Sequence, residues 1–277
     1  MSDLDRRLFA VRADLADVRL KGRVEAARFV EGIPAQCAVP VAGVFRSPAD
    51  DAMQLTQMLW GEALLVFEQS NGWSWVQLDG DSYVGYVRDT ALRDASATRT
   101  HRVSAPLTHL YPKPDIKSQP AIAVPMNAEL CVTGESGDFH VLASGRHIYA
   151  RHASTGTQSD FVSVAERFLH TPYLWGGKTV MGIDCSGLVQ TALQACGIHA
   201  PRDSDMQEHG FGVDISGETL RRGDLVFWKG HVGIMQDGTS LLHANGHHMM
   251  VASEPLQVAT ERSAAKGSSV TAVKRLR

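Results

Sequence analysis

Cys185 follows an aspartate and heads the stretch CSGLVQTALQAC, in which Leu188, Ala192 and Ala195 fall on one stripe with Val189, Leu193 and Cys196 beside it. The spacing predicts a helix over 185–196, N-capped by Asp184 and stopped by Gly197. A thiol at a helix start lies near unpaired N–H groups and the positive end of the dipole, which lowers its pKa and favours the nucleophilic thiolate. On its own such a cysteine is more often a small buried hydrophobe, so the chemistry needs a base. His231 and His243 offer one on a predicted meander, with strands over 224–228, 231–235 and 240–244 joined by Lys229-Gly230 and Gln236-Asp237-Gly238. If Gln236-Asp237-Gly238 closes a three-residue loop with Gly238 in the left-handed position, Met235 pairs with Thr239 and His231 faces His243 directly. Opposed residues on one sheet face have Cβ atoms about 4.5 to 5.5 Å apart, near enough for one imidazole to hydrogen-bond the other. A two-residue Asp237-Gly238 turn instead puts the histidines on opposite faces, so the pairing hangs on one unit of register.

The chain that must position these groups has 277 residues, room for about two ordinary domains or for one with smaller modules attached. A helical start over 161–169 and a Gly-rich loop precede Cys185, and the small polar stretch ASTGTQS (153–159) reads as a linker. Upstream, strands over 64–67, 73–78 and 83–87, separated by SNG and DGD turns, predict a small β-barrel over 39–95. The stretch 96–153 repeats the plan: NAELCVTG (127–134) echoes GEALLVFE (61–68), and GDFHVL (137–142) echoes GWSWVQL (72–78). Residues 1–38, where acidic and basic groups alternate among spaced Leu, Val and Ala, predict an N-terminal helical segment of one or two short amphipathic helices.

Composition narrows the function classes. A net charge of -3 with scattered Lys and Arg is not the footprint of a nucleic-acid binder. Charges interrupt every apolar stretch of the first 20 residues, and the longest obvious apolar run, 63–67, is far short of the roughly 20 residues that span a bilayer. The expectation is a cytoplasmic protein with no membrane partner. Cys37, Cys131, Cys185 and Cys196 show no C-x-x-C pair or zinc-ligand spacing, and His209, His247 and His248 have no carboxylate or cysteine at ligand spacing, so neither a disulfide framework nor a metal is expected.

Six blocks in order, PYLWGG (172–177), GIDCSGLV (182–189), PRDS (201–204), RGDLVFW (222–228), HVGI (231–234) and LHA (242–244), resemble the NlpC/p-sixty cysteine peptidases of bacterial cell-wall peptides. The two upstream barrels resemble bacterial SH3-like modules. What the resemblance implies is an α+β fold: a papain-like catalytic domain in circularly permuted order over 154–277, preceded by two small SH3-like barrels. It implies Cys185 as nucleophile, His231 as base and His243 as the group that orients it. Tyr173 becomes the oxyanion donor beside the backbone N–H of Cys185. Trp175, Asp184, Ser186, Arg202, Asp203 and Ser204 line the substrate groove, with Arg202 or the hydroxyls suited to a carboxylate and the acids to an ammonium group. Asp184 as an N-cap and Asp203-Ser204 as a helix start are structural roles that coexist with these. In the subgroup with two such modules, an acid and a tyrosine of the first barrel hold the substrate amine; here the acid is Asp51 or Glu62 and the tyrosine Tyr83 or Tyr86.

The implied activity is hydrolysis of the γ-D-Glu to L-diamino acid bond in small murein peptides with a free N-terminal L-Ala, as in recycling of wall fragments. A barrel closing the non-primed end of the groove is expected to exclude longer substrates. The resemblance requires no cofactor. An acyltransferase on the same scaffold and a non-catalytic wall-peptide binding protein are the other readings.

Overall fold

The structure, a computed structural model, describes residues 4–95 and 98–276. The chain divides into two compact units between Thr155 and Gly156, inside the stretch read as a linker. The boundary expected between the barrels, at 95/96, runs into residues 96 and 97, which lie outside the described residues, as do residues 1–3.

Two of the antiparallel sheets in the first unit repeat one plan. In the larger the strand order is Gln54–Leu59, Val41–Phe45, Val84–Arg88, Trp73–Leu78, Ala63–Ser70, Ile33–Cys37 and Leu92–Asp94. In the smaller it is Ile122–Pro125, Leu107–Tyr111, His147–Tyr149, Phe139–Leu142 and Val132–Ser136. Numbered along the chain, the five strands of the smaller sheet follow the order of the first five of the larger. The echoed segments are the matching hairpins, pairing Ser70 with Trp73 and Ser136 with Phe139 across two-residue turns. Asn71 and Gly72 both have positive φ, which fits the right-handed strand twist. Val103, Leu110, Val124, Leu130, Leu142 and Ile148 form the core of the second module.

The N-terminal segment corrects one expectation. Residues 4–38 hold no α-helix: they form short strands Leu15–Asp17 and Arg28–Val30, a 3-10 turn Val18–Leu20, and Ile33–Cys37, which belongs to the first barrel's sheet. The alternating charges pair two residues apart, Arg7 with Asp5, Arg12 with Asp14 and Arg19 with Asp17. Positions i and i+2 do not face each other on a helix, so this pairing belongs to extended and turn backbone. The spaced apolar residues Ala10 and Leu15 instead pack against Phe67, Trp75 and Val84 of the barrel. Arg12 stacks on Trp75 at 4.4 Å and reaches Glu68 at 2.6 Å.

The second unit is built on a six-stranded antiparallel sheet in the order Val213–Asp214, Val270–Arg275, Leu225–Trp228, His231–Met235, Ser240–Asn245, Met250–Pro255. The helix Cys185–Ala195 packs against the His231 and His243 strands. Residues 185 to 193 of that helix are all buried, Gln190 and Thr191 included, so it is central to the unit and not a one-stripe surface helix. Gln190 Nε2 donates to Ala200 O and Thr191 Oγ1 to Lys178 O, which ties both polar side chains to backbone carbonyls inside. Gly187 is required by close approach: a Cβ there would lie 2.2 Å from Gly177 O, in the loop beneath the helix start. Against the sheet, helix Leu256–Ala264 seats Ala259 beside Val226, Trp228, Met235 and Leu241. Among the described residues no helix is long and apolar enough to cross a membrane.

Candidate active site

The position of Cys185 follows from Asp184. Its backbone is extended, and its carboxylate accepts from Gly187 N at 2.7 Å and, on the other oxygen, from Gly176 N at 2.8 Å, which ties the helix start to the preceding loop. Arg202, only 1% exposed, closes on the same carboxylate through both terminal nitrogens, at 3.0 and 2.6 Å, and donates to Ser186 Oγ at 2.9 Å. Arg202, Asp184 and Ser186 are engaged with one another beneath the first turn and brace Cys185. The cause is burial, since two charges removed from water must neutralise each other.

The hairpin between the histidines turns one residue later than the sequence reading has it. Asp237 Oδ1 accepts from Thr239 N and Ser240 N, both at 2.7 Å, and Gln236 N donates to Ser240 O. The loop is therefore Asp237-Gly238-Thr239, closed by an aspartate side chain with Gly238 outside the left-handed region. Ile234 pairs with Leu242 and Met235 with Leu241. His231 and His243 become diagonal neighbours instead of opposed ones, yet they keep a common face because the shift preserves parity. His231 Nε2 lies 2.9 Å from His243 Nδ1. Beyond them, His243 Nε2 lies 2.8 Å from Glu254 Oε1, and Arg262 donates to the same carboxylate from helix Leu256–Ala264. Glu254 and Arg262 were not among the sequence candidates. An acid at an alternating position of a fourth meander strand, Met250–Pro255, is the signal that marks Glu254, but its register was not legible.

Cys185 is 7% exposed, with the Val232 backbone amide, one residue past His231, and the Ser186 amide directed to its sulfur. Burial, with the Asp184 charge, pushes the thiol up to about 12, outweighing these amides. The expected lowering by the helix start is thus reversed in the free site. Burial, then His243 and Arg262, holds the His231 imidazole down at about 3. Both directions favour the neutral thiol and the neutral imidazole in the free site. Burial, then the Cys185 and Asp184 charges, raises the Tyr173 hydroxyl, which stays a hydrogen-bond donor.

The imidazole also makes stability pH-dependent. A folded value below the ordinary 6.5 means that the unfolded chain takes up the proton first. Stability is full above about 6.5 and declines as pH falls toward about 3. Melting followed from about pH 8 to about pH 4 is expected to show Tm falling, with a shallower fall in His231→Leu. An equal slope in the two proteins counts against a buried neutral imidazole.

Trp175 is 59% exposed on the loop before Cys185. Asp203 occupies the N-cap position of helix Ser204–Gly210 without a side-chain capping bond, and Ser204 begins the helix half-buried. Gln207, absent from the sequence reading, is fully buried and donates to Ser186 O at 3.0 Å and Pro201 O at 2.8 Å. Among the first-barrel candidates, Asp51 is exposed in a turn. Glu62 accepts from Leu59 N at 2.9 Å, Tyr83 is buried, and the Tyr86 hydroxyl accepts from Arg12 at 2.9 Å. His248 joins His243 and Glu254 in a group whose ligand atoms lie within 4.8 Å of one another, although no carboxylate stood at ligand spacing in the sequence. Arg262 already holds the Glu254 carboxylate that a cation would need.

Residues 170–265, the span containing this constellation, match the NlpC/P60 family, and residues 44–92 match the bacterial dipeptidyl-peptidase SH3 domain. The chain carries an NlpC/P60 domain and a bacterial dipeptidyl-peptidase SH3 domain. The NlpC/P60 domain makes it a cysteine peptidase, a hydrolase. Its relatives include dipeptidyl-peptidase 6 of Lysinibacillus sphaericus, 28% identical over 74% of this chain and 85% of that protein. A γ-D-glutamyl-L-lysine dipeptidyl-peptidase of Bacillus subtilis is 29% identical over 70% of this chain and 73% of its own length. The crystal structure of an NlpC/P60 family protein from Bacillus cereus superimposes with a TM-score of 0.74, covering 87% of this chain and 99% of that one at 21% identity, a likeness of fold. The α+β reading, a permuted papain-like domain after an SH3-like β region, agrees with that fold.

Proposed function

We propose that this NlpC/P60 peptidase hydrolyses the γ-D-glutamyl to L-diamino acid bond of small murein peptides that carry a free N-terminal L-Ala. The observation that carries the reading is the order Cys185, His231, His243 in one site, in a chain similar over most of its length to named γ-D-glutamyl dipeptidyl-peptidases. Cys185 passes its proton to His231 and attacks the γ-carbonyl; the backbone N–H of Cys185 and the Tyr173 hydroxyl receive the oxyanion. His231 protonates the departing amine, then takes a proton from water as it attacks the thioester. His243 holds the His231 ring, and Trp175, Asp203 and Ser204 contact the peptide. The setting we propose is cytoplasmic recycling of wall fragments, in which short free peptides are the available substrates.

The test is mass spectrometry of L-Ala-γ-D-Glu-diaminopimelate, its L-lysine counterpart and their N-acetylated forms. Free peptides are expected to release L-Ala-D-Glu, with no transfer to an added amine, and N-acetylation to lower kcat/KM by about 10⁴-fold, the discrimination typical of a site built around a polar group. Comparable cleavage of free and blocked peptides overturns the free-amine requirement, and transfer in place of hydrolysis overturns the reaction.

A further inference from the structure

We infer that Glu254, held by Arg262, is a positioning residue that sets the proton positions on both histidines and thereby makes His231 Nδ1 the base. The inference rests on the peptidase reading of the Cys185 site.

Four groups on four consecutive elements form a chain: Arg262 on helix Leu256–Ala264, Glu254 on strand Met250–Pro255, His243 on strand Ser240–Asn245 and His231 on strand His231–Met235. The three strands are neighbours in that order in the sheet, and alternation keeps the three side chains on one face. Each histidine contact is at most 2.9 Å long, so one nitrogen of each pair donates and the other accepts. An ionised carboxylate has no proton to give. Glu254 therefore obliges His243 Nε2 to carry the hydrogen, which leaves His243 Nδ1 as the acceptor. His243 Nδ1 in turn obliges His231 Nε2 to carry its hydrogen, which leaves His231 Nδ1 with the free electron pair that accepts the proton of Cys185. Without a carboxylate at the end, either direction of the relay satisfies the same contacts, and the reversed one puts a proton where the base must be.

The surroundings agree with an ionised terminus. Burial opposes the Glu254 charge, but hydrogen bonds from Arg262 and His243 prevail and hold its carboxyl at about 2. The other charged or titratable groups facing this chain are His248, whose Nδ1 lies 3.9 Å from Glu254 Oε1, and His247 and Lys266, which line a cavity of about 160 Å³ with both catalytic-site histidines. None of these is an acceptor-only group that replaces Glu254.

Glu254→Gln tests the assignment on the full chain. Gln replaces one acceptor-only oxygen with an N–H, which, turned to His243 Nε2, keeps the other oxygen on Arg262 and reverses the relay. The expected result is a kcat lower by about 10²- to 10⁴-fold with KM changed less than about threefold, as for loss of the correct tautomer in a related catalytic relay. Nitrogen-15 NMR of histidine-labelled protein is expected to report protonated Nε2 on both histidines in the wild type and protonated Nδ1 on both in the Gln variant. Glu254→Asp, which keeps the charge, is expected to recover at least about tenfold of the lost rate. Unchanged tautomers in Glu254→Gln overturn the inference, as does a variant with wild-type kcat. If Glu254→Gln does not fold, the wild-type spectrum still decides: a protonated His243 Nδ1 overturns it. Absence of cysteine-dependent turnover in the wild type, judged against Cys185→Ala, is a failure of the peptidase reading, and the NMR outcome stands apart from it.

Discussion

Cys185→Ala abolishes turnover, with kcat lower by about 10⁴-fold or more, and leaves the fold intact. The substitution deletes one sulfur from a packed helix start, and the N-cap, Asp184, acts through its own carboxylate and the Gly187 amide. Cys196, the other thiol of the second unit, lies at the far end of the same helix. Hydrolysis of the murein tripeptide with parallel calorimetry checks both halves: an Ala variant within tenfold of wild type removes the thiol mechanism. Cys185→Ser also belongs in the series, because a hydroxyl of much higher pKa beside the same neutral imidazole is expected to leave only residual rate.

Arg202→Met has the largest expected effect on stability, a loss of about 3 to 5 kcal/mol, as when one partner of a buried ion pair is removed. The methionine fills much of the volume, but the Asp184 carboxylate is left inside with two amides and a hydroxyl and no counter-charge. Asp184→Asn strands the guanidinium instead. The double variant Asp184→Asn with Arg202→Met is expected to lose less than the sum of the single losses, because it removes both charges together. Urea unfolding near neutral pH measures all three. A single-variant loss under about 1 kcal/mol, or strict additivity, shows that the pair does not brace the nucleophile's turn.

Local pattern carried most of the architecture. Alternation, turn residues and a capped apolar helix located the paired upstream hairpins, the Cys185 helix and the histidine strands, because each of these signals is contained in a few neighbouring residues. The N-terminal segment was misread for the same reason: charges at alternate positions carry no information about whether their partners lie on a helix or, as with Arg7 and Asp5, two residues along an extended chain.

The sequence by itself determined the identities and order of Cys185, His231 and His243, and left open the parity that puts the two histidines on one face. Tertiary structure decided the rest. It moved the turn by a residue through the Asp237 side chain, brought Glu254 and Arg262 to His243, and buried Arg202 against Asp184. It also reversed the expected thiol shift, because desolvation depends on everything packed around a group, and no stretch of local sequence contains that sum.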